Sequence, residues 1–151
     1  MSPRFLLDTN VLSELMREVP EPGVIDWFEQ NRKAAMLTSA VSQAEILTGI
    51  ALLPSGKRRT ALGEAAQQMF GLDFAQRVCV FDALAAGHYA QIVAARTRQG
   101  RPISTEDAQI AAIAIAGGLT LATRNTKDFQ GITGLLLTDP WGKAPGRARG
   151  A

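Results

Sequence analysis

The chain has 151 residues, 46% of them hydrophobic and 20% charged, a balance typical of one globular domain and not of a disordered chain. The net charge is +2, and a single cysteine, Cys79, excludes an internal disulfide and fits a reducing cytoplasm. A single histidine, His88, excludes both a ribonuclease built on a histidine pair and a His/Cys zinc site.

Membrane insertion and secretion are not expected either. Even the apolar run that contains residues 111–116 is far shorter than the ~20 residues of a membrane-spanning helix. After residues 1–4, a run of only three apolar residues leads to Asp8, which is too few for the core of a signal peptide. We therefore expect a cytoplasmic protein with no membrane contact.

Predicted strands and helices alternate along the chain. Residues 5–7 predict a short buried strand, residues 34–39 a second, and the β-branched and aromatic run at residues 78–81 a third buried strand. Residues 119–122 and 135–137 predict the fourth and fifth. Helical patterns lie between the strands, around residues 9–16, 24–28, 46–53, 62–70, 82–99 and 104–117. Strands joined by helical crossovers indicate an α/β fold with a parallel sheet of about five strands and helices on both faces.

The last ten residues differ in composition from the rest of the chain. They contain Lys143, Arg147 and Arg149, no acidic residue, and several Gly, Pro and Ala residues, so the chain without them carries a net charge of about −1. Such segments are usually solvated and disordered. We therefore predict one domain over residues 1–141, followed by a disordered basic tail at residues 142–151.

Acidic and amide side chains occur where predicted strands end and helices begin. Asp8 follows the first strand, Glu45 lies early in the helix after the second, and Asp107 lies in the first turn of an apolar helix. Asn125 and Asp128 follow the fourth strand. Because these junctions face one edge of a parallel sheet, we expect the side chains to converge there.

A cluster of carboxylates needs a positive charge to offset its repulsion. Carboxylates ~4 Å apart repel by roughly 4 kcal/mol per pair at a dielectric constant of ~20, and an all-oxygen ligand set favours Mg²⁺ or Mn²⁺. Such an ion activates water and positions a phosphodiester for attack.

Each acidic residue also has a purely structural interpretation. Asp107 is favoured by the helix dipole, and Asp8 is a suitable helix N-cap. Glu45 borders an apolar helix face, where it would need a polar partner, and Asp128 is compatible with an ordinary loop surface. One acid at each of three equivalent strand-to-helix junctions favours the metal site over these separate explanations.

Four segments carry these residues in a characteristic order and spacing. They are residues 6–15 (LLDTNVLSEL), 44–50 (AEILTGI), 107–114 (DAQIAAIA) and 121–129 (LATRNTKDF). Together they resemble the four motifs of PIN-domain ribonucleases, in particular the VapC- and FitB-type toxins of bacterial toxin–antitoxin pairs. The resemblance extends over residues 4–141 and includes the closing Asp139-Pro140-Trp141.

The resemblance implies a three-layer PIN-like fold whose parallel strands lie in the order 3-2-1-4-5. It implies a cytoplasmic Mg²⁺-dependent endoribonuclease, with Mn²⁺ as an alternative ion and a tRNA as a candidate substrate. It also implies a cognate VapB-type antitoxin, a homodimer, and a hetero-oligomer with the antitoxin. The implied metal-site residues are Asp8, Glu45 and Asp107, and the implied supporting polar residues are Thr9, Asn10 and Thr123.

The fourth motif departs from the family pattern. Many relatives have an aspartate directly after the Thr-Arg pair, where this chain has Asn125. An amide orients water or a ligand but brings no charge. Either Asp128 supplies the fourth acid, or only one metal binds well.

Several basic and aromatic residues are candidates for contacts with RNA. Arg124 lies beside the site, and the run Lys57, Arg58 and Arg59 either follows the phosphates or forms a solvated helix start. The aromatic rings of Trp27, Tyr89 and Trp141 suit either base stacking or core packing, and helical spacing favours packing for Trp27.

Two other functions compete with RNA cleavage. A phosphatase of the haloacid dehalogenase type needs a second aspartate two residues after the first, where this chain has Asn10. A catalytically weak PIN scaffold that binds RNA or a partner protein without cutting is the second alternative, because Asn125 removes one charge. Metal-dependent cleavage of RNA separates both from the favoured interpretation.

Overall fold

Five short strands form one parallel sheet in the computed structural model, which describes residues 2–142. They are β1 (Arg4–Leu7), β2 (Ala35–Ser39), β3 (Val78–Cys79), β4 (Thr120–Ala122) and β5 (Leu137–Thr138). Their order is β3-β2-β1-β4-β5, as predicted. The order reverses between β1 and β4, and Leu7 is paired with Ala122 at the ends of these strands. The residues that follow Leu7 and Ala122 therefore meet at the switch point of the sheet.

Seven helices connect and cover the strands that the structure describes. They are α1 (Thr9–Leu15), α2 (Pro22–Gln30), α3 (Ala40–Ala51), α4 (Lys57–Gln68), α5 (Ala83–Arg98), α6 (Thr105–Gly117) and α7 (Thr126–Phe129), with a π-helical turn, Met69–Asp73, after α4. Short polar side chains begin several of these helices by accepting a backbone N–H bond, as Ser39 does for α3 and Ser104 for α6. Gly118, in the left-handed conformation (φ 65°), ends α6.

Apolar side chains of β1 point alternately to the two faces of the sheet. Phe5 and Leu7 belong to one buried cluster with residues of α1, α3 and α4, whereas Leu6 belongs to a second cluster with residues of α5 and α6. This alternation is the period of two expected of a strand. The result is a three-layer α/β fold, which confirms the predicted architecture.

The two outer strands are shorter and more exposed than predicted. β3 ends at Cys79, both of its residues are only half-buried, and Val80 is 63% exposed, so the prediction of a buried strand over residues 78–81 is wrong. β5 begins at Leu137, two residues later than predicted, and Leu136 is 68% exposed. A strand at the edge of a sheet has one paired side only, so an apolar run there does not have to be buried.

The aromatic rings of two helices take part in packing. Trp27 meets Phe5 edge to face, with ring centroids 4.9 Å apart, and Tyr89 meets Phe81 at 5.7 Å. Both geometries are favourable for aromatic pairs. Core packing is therefore confirmed for Trp27. Tyr89 is half-buried and packs, like Phe81, against the core cluster formed by α5 and α6.

The predicted tail at residues 142–151 lies, apart from Gly142, outside the described residues. Deleting residues 143–151 is expected to leave the thermal unfolding temperature unchanged, because their composition does not support burial. If the three basic residues contact RNA phosphates, the deletion will also make the salt dependence of RNA affinity shallower. Differential scanning fluorimetry and an RNA-binding salt titration measure these effects, and a truncated protein that does not fold would contradict the prediction.

Candidate functional site

Asp8 lies at the switch point, directly after β1, and is only 4% exposed. Its Oδ1 accepts a bond from the backbone N–H of Thr9 (2.8 Å), and its Oδ2 accepts one from the buried hydroxyl of Thr123 (2.7 Å). Asp8 is therefore the N-cap of α1, as one of the sequence interpretations proposed. Both carboxylate oxygens are held in fixed directions in a buried position.

The predicted supporting residues join the ends of β1 and β4. Asn10 directs its amide nitrogen at Asp8 Oδ2 (3.4 Å) and Thr123 Oγ1 (3.3 Å), and its Oδ1 accepts the backbone N–H of Arg124 (3.2 Å). The backbone N–H of Asn125 in turn donates to the Thr123 hydroxyl (3.0 Å). The loop after β4 is thus bonded to the first turn of α1 through polar side chains.

Glu45 lies on α3 and is exposed to solvent. Its Oε1 accepts a hydrogen bond from the Thr9 hydroxyl, which also lies 3.0 Å from the hydroxyl oxygen of the buried Ser42. Thr9 follows Asp8 directly, so this bond brings the second acidic side chain to the same edge of the sheet. The structure thus provides the polar partner that Glu45 was expected to need.

Asp107 lies half-buried in the first turn of α6, where its backbone N–H donates to the Ser104 side chain (3.1 Å). Burial, and secondly the negative charge of Asp8, raise the pKa of Asp107 to about 6. Burial is also the main reason that the pKa of Asp8 is raised, with smaller contributions from Glu45 and Asp128. The charges of Glu45 and Asp128 therefore act on both Asp8 and Asp107.

The donor set fits a hard divalent cation. Asp8, Glu45 and Asp107 offer carboxylate oxygens only, which is the ligand chemistry of Mg²⁺ and Mn²⁺. A cation would offset the repulsion that adds to the effect of burial on the pKa values of Asp8 and Asp107. Within residues 2–142, however, no three His, Cys, Asp or Glu side chains are close enough together to hold a metal ion. The acidic side chains are near enough to one another to raise the pKa values of Asp8 and Asp107, but their oxygens do not form a closed ligand shell.

Asn125 and Asp128 occupy the exposed loop and short helix after β4. Asp128 lines a polar cavity of about 340 Å³ together with Asp107, and its charge raises the pKa values of both Asp8 and Asp107. The described contact of Asn125 with the site is its backbone N–H bond to Thr123. These contacts make Asp128 the better placed of the two to supply a fourth charge.

A metal titration of two variants distinguishes the roles of Asn125 and Asp128. If Asp128 supplies the fourth charge, Asp128→Ala will weaken Mn²⁺ binding and lower cleavage, whereas Asn125→Asp will change little. If Asp128 does not reach the ion, Asn125→Asp will tighten Mn²⁺ binding, because a carboxylate brings a full charge where an amide brings a dipole. Isothermal titration with Mn²⁺ gives the affinities. Unchanged affinity and rate in both variants would mean that the fourth motif is structural.

Residues 5–135 match the PIN domain family. The chain belongs to this family.

Its relatives share most of their length with this PIN domain. It is similar to the plasmid stability protein StbB of Pseudomonas syringae pv. tomato (41% identity, over 90% of this chain and 97% of StbB). It is also similar to Toxin FitB of Neisseria gonorrhoeae (38%, 90% and 97%) and to the VapC ribonuclease Y4jK of Sinorhizobium fredii (37%, 90% and 96%). Among solved structures, FitAcB from Neisseria gonorrhoeae superposes with a TM-score of 0.81 at 36% identity, over 92% of this chain and 99% of that chain.

Two of the basic candidate residues of this PIN domain, Arg124 and Arg58, lie near the acidic edge of the sheet. The Arg124 side chain is exposed and lies over the ring of Trp141, 5.0 Å from its centroid. Lys57, Arg58 and Arg59 form the exposed first turn of α4. Of these, Arg58 lines a groove of about 490 Å³ that Thr9 and Glu45 also line.

Two buried charged residues were not predicted from the sequence. Glu14 is 6% exposed, pairs with Arg17 (3.0 Å) and accepts the backbone N–H of Glu21 (2.8 Å), so it fixes the connection between α1 and α2. Arg96 is a buried arginine in the last turn of α5. Its position four residues after the buried Ile92 was the available signal, because that spacing returns to the same helix face.

Proposed function

We propose that this PIN domain is a divalent-metal-dependent endoribonuclease and the toxin of a toxin–antitoxin pair, using Mg²⁺, with Mn²⁺ as the alternative. The observation that carries the proposal is the buried Asp8 carboxylate, fixed on both oxygens and sharing its field with Asp107 and Glu45. The ribonuclease and toxin roles are supported by the names of the relatives Y4jK and FitB.

The residues divide the work of cleavage in the following way. Asp8, Glu45 and Asp107 are the residues that would hold the ion, and their side chains would have to draw closer together to do so. When bound, the ion supplies an activated water and charge compensation for the phosphodiester. Thr123 keeps the Asp8 carboxylate in one orientation, and Thr9 does so for Glu45. Without a cation, the acids would repel the RNA phosphate, because their charges have the same sign.

Substrate and partners follow from the same surface. We assign Arg124 and the run Lys57, Arg58 and Arg59 to RNA phosphates, because all four are exposed cations and Arg58 lines a groove together with Glu45. A cognate VapB-type antitoxin would place a cation, best an arginine, among the acids. The cytoplasmic location, the homodimer and the hetero-oligomer with the antitoxin are part of this proposal. None of the helices within residues 2–142 combines the length and apolar character needed to span a membrane.

Cleavage of a mixed tRNA pool tests the proposal. We expect fragments to appear with Mg²⁺ and to disappear with chelator or in the Asp8→Asn variant, which keeps the helix cap but loses the charge. Asp26→Asn, on the exposed side of α2, is the matched control and is expected to cleave normally. Binding of tRNA without cleavage by the wild-type protein would instead support the weak-scaffold alternative, in which Asn125 leaves the site one charge short.

A further inference from the structure

Arg96 makes an unusual set of contacts for a buried cation. It is 5% exposed, and its Nη2 donates to the backbone carbonyls of Asp128 (2.7 Å) and Gln130 (3.2 Å). Its Nη1 makes a longer bond to the carbonyl of Arg101 (3.4 Å), and Arg101 returns a backbone N–H bond to the carbonyl of Arg96 (2.9 Å). Its buried Nε has no hydrogen-bond partner among the described residues.

The two segments joined by this guanidinium carry acids of the site. Asp128 belongs to α7, which follows the loop of the fourth motif. Arg101 lies in the connection that leads to α6, whose first turn holds Asp107. Arg96 also lines the 340 Å³ cavity that Asp107 and Asp128 share. Arg96 therefore lies beside both acids and is hydrogen-bonded to the backbone of the segment that holds Asp128 and of the segment that leads to Asp107.

A contribution to the overall stability of the fold does not explain why the charged Arg96 guanidinium is buried here. Burying a guanidinium is costly unless its partners compensate for the lost water, and within residues 2–142 no carboxylate forms a salt bridge with Arg96. Its compensation comes from carbonyl dipoles, those of the neighbouring segments and those at the C-terminal end of α5. A planar fork that spans separate carbonyls fixes their relative position, which an apolar side chain of equal size would not do.

We propose that Arg96 is a positioning residue that holds the α7 segment against the start of α6 and so fixes the distance between Asp128 and Asp107. This inference rests on the proposed ribonuclease function for its effect on the rate. Arg96 is buried and bonded to backbone atoms, so it acts through the placement of other residues and not by touching RNA.

Kinetics of Arg96→Met and Arg96→Lys test this role. Arg98→Met is the matched control, because Arg98 is exposed in the same last turn of α5. We expect Arg96→Met to lower kcat between about 10- and 100-fold, the usual effect of losing a residue that orients metal ligands, with KM for RNA nearly unchanged. Arg96→Lys keeps the charge and should recover part of the loss. Equal kcat values for Arg96→Met and Arg98→Met would overturn the proposal.

Hydrogen exchange tests the same role without RNA. The backbone N–H of Asp128, bonded to the Asn125 carbonyl (3.0 Å), should exchange at least tenfold faster in Arg96→Met, while that of Asp8, bonded to Ala122 across the sheet, stays unchanged. If the wild-type protein does not cleave RNA, the proposed function fails and exchange alone decides the role of Arg96. If Arg96→Met does not fold, Arg96→Lys is measured instead, and wild-type kcat and exchange in that variant would overturn the proposal.

Discussion

Asp107→Asn is expected to lower the rate of RNA cleavage strongly while stabilising the metal-free protein at neutral pH. The amide removes one of the carboxylates proposed to hold the ion, and losing about 3 kcal/mol of transition-state stabilisation lowers the rate about 100-fold. It also removes a charge that burial and Asp8 make unfavourable. The exposed neighbour Glu106→Gln, in the same turn, is the matched control and should do neither.

The pH dependence of this stabilisation follows from the direction of the pKa shift. The pKa of Asp107 is about 6 in the folded protein against a usual value of 3.8, so the folded state retains the proton to a higher pH than the unfolded state. The free energy of unfolding of the wild-type protein therefore falls as the pH rises from about 4 to 6, and remains lowered above pH 6. Asp107→Asn has no carboxyl group at this position, so its free energy of unfolding should not fall in this way.

Thermal unfolding across pH measures the effect. Because the Asp107 carboxyl is half-exposed, solvent screening reduces the gain to about 1 kcal/mol above pH 6, or roughly 2–4 °C in unfolding temperature for a domain of this size. Below pH 4 the variant and the wild-type protein should unfold together. A variant that cleaves at the wild-type rate with saturating Mg²⁺ would remove Asp107 from the site, and a lowered unfolding temperature at pH 7.5 would assign it a structural role.

Thr123→Val is expected to produce the largest loss of stability among the site variants. It replaces the buried hydroxyl that donates to Asp8 Oδ2 (2.7 Å) by a methyl group of the same shape. A buried carboxylate that loses such a donor costs about 2–3 kcal/mol, equivalent to roughly 5–10 °C in unfolding temperature. Cleavage should fall as well, because Asp8 is no longer held in its orientation.

The control and the pH dependence identify the cause of this loss. Thr123→Ser keeps the hydroxyl and should retain most of the stability and the activity. The Thr123 bond lowers the pKa of Asp8, which burial raises, so Thr123→Val will raise that pKa further. The destabilisation should therefore grow as the pH rises and Asp8 loses its proton, and should shrink as the pH falls and Asp8 is protonated. Equal stability of the Val and Ser variants at pH 7.5 would contradict the role of the hydroxyl.

The sequence allowed the architecture to be predicted because local and global signals agree. The crossover pattern predicted a parallel sheet, and the family resemblance supplied the strand order that the structure confirms. Ser104 and Gly118 mark the ends of α6 by their capping chemistry alone. The outer strands were less predictable. An apolar run such as residues 78–81 does not indicate whether the strand will pair on both sides or lie at the edge of the sheet.

The positions of the acidic residues at strand and helix ends were predictable from the sequence, whereas the hydrogen bonds that hold their side chains were not. Asp8 and Asp107 follow from their place at strand and helix ends, and the structure gives Glu45 a bond from Thr9. The contacts of Arg96 depend on backbone carbonyls that lie 5 to 34 positions away in the chain. No local pattern encodes such distant acceptors, since the carbonyl group is common to all residues.

The unequal lengths of the strands protect the sheet at its edges. β3 and β5 have two residues each, so the outer edges offer few free N–H and C=O groups to a strand from another chain. The five-residue β2 is enclosed between β3 and β1, and β4 between β1 and β5. Detachment of β3 would leave β2 as the edge strand, and β2 is longer and includes the apolar residue Leu37. Resistance to aggregation in this fold therefore depends on its two weakest strands remaining paired.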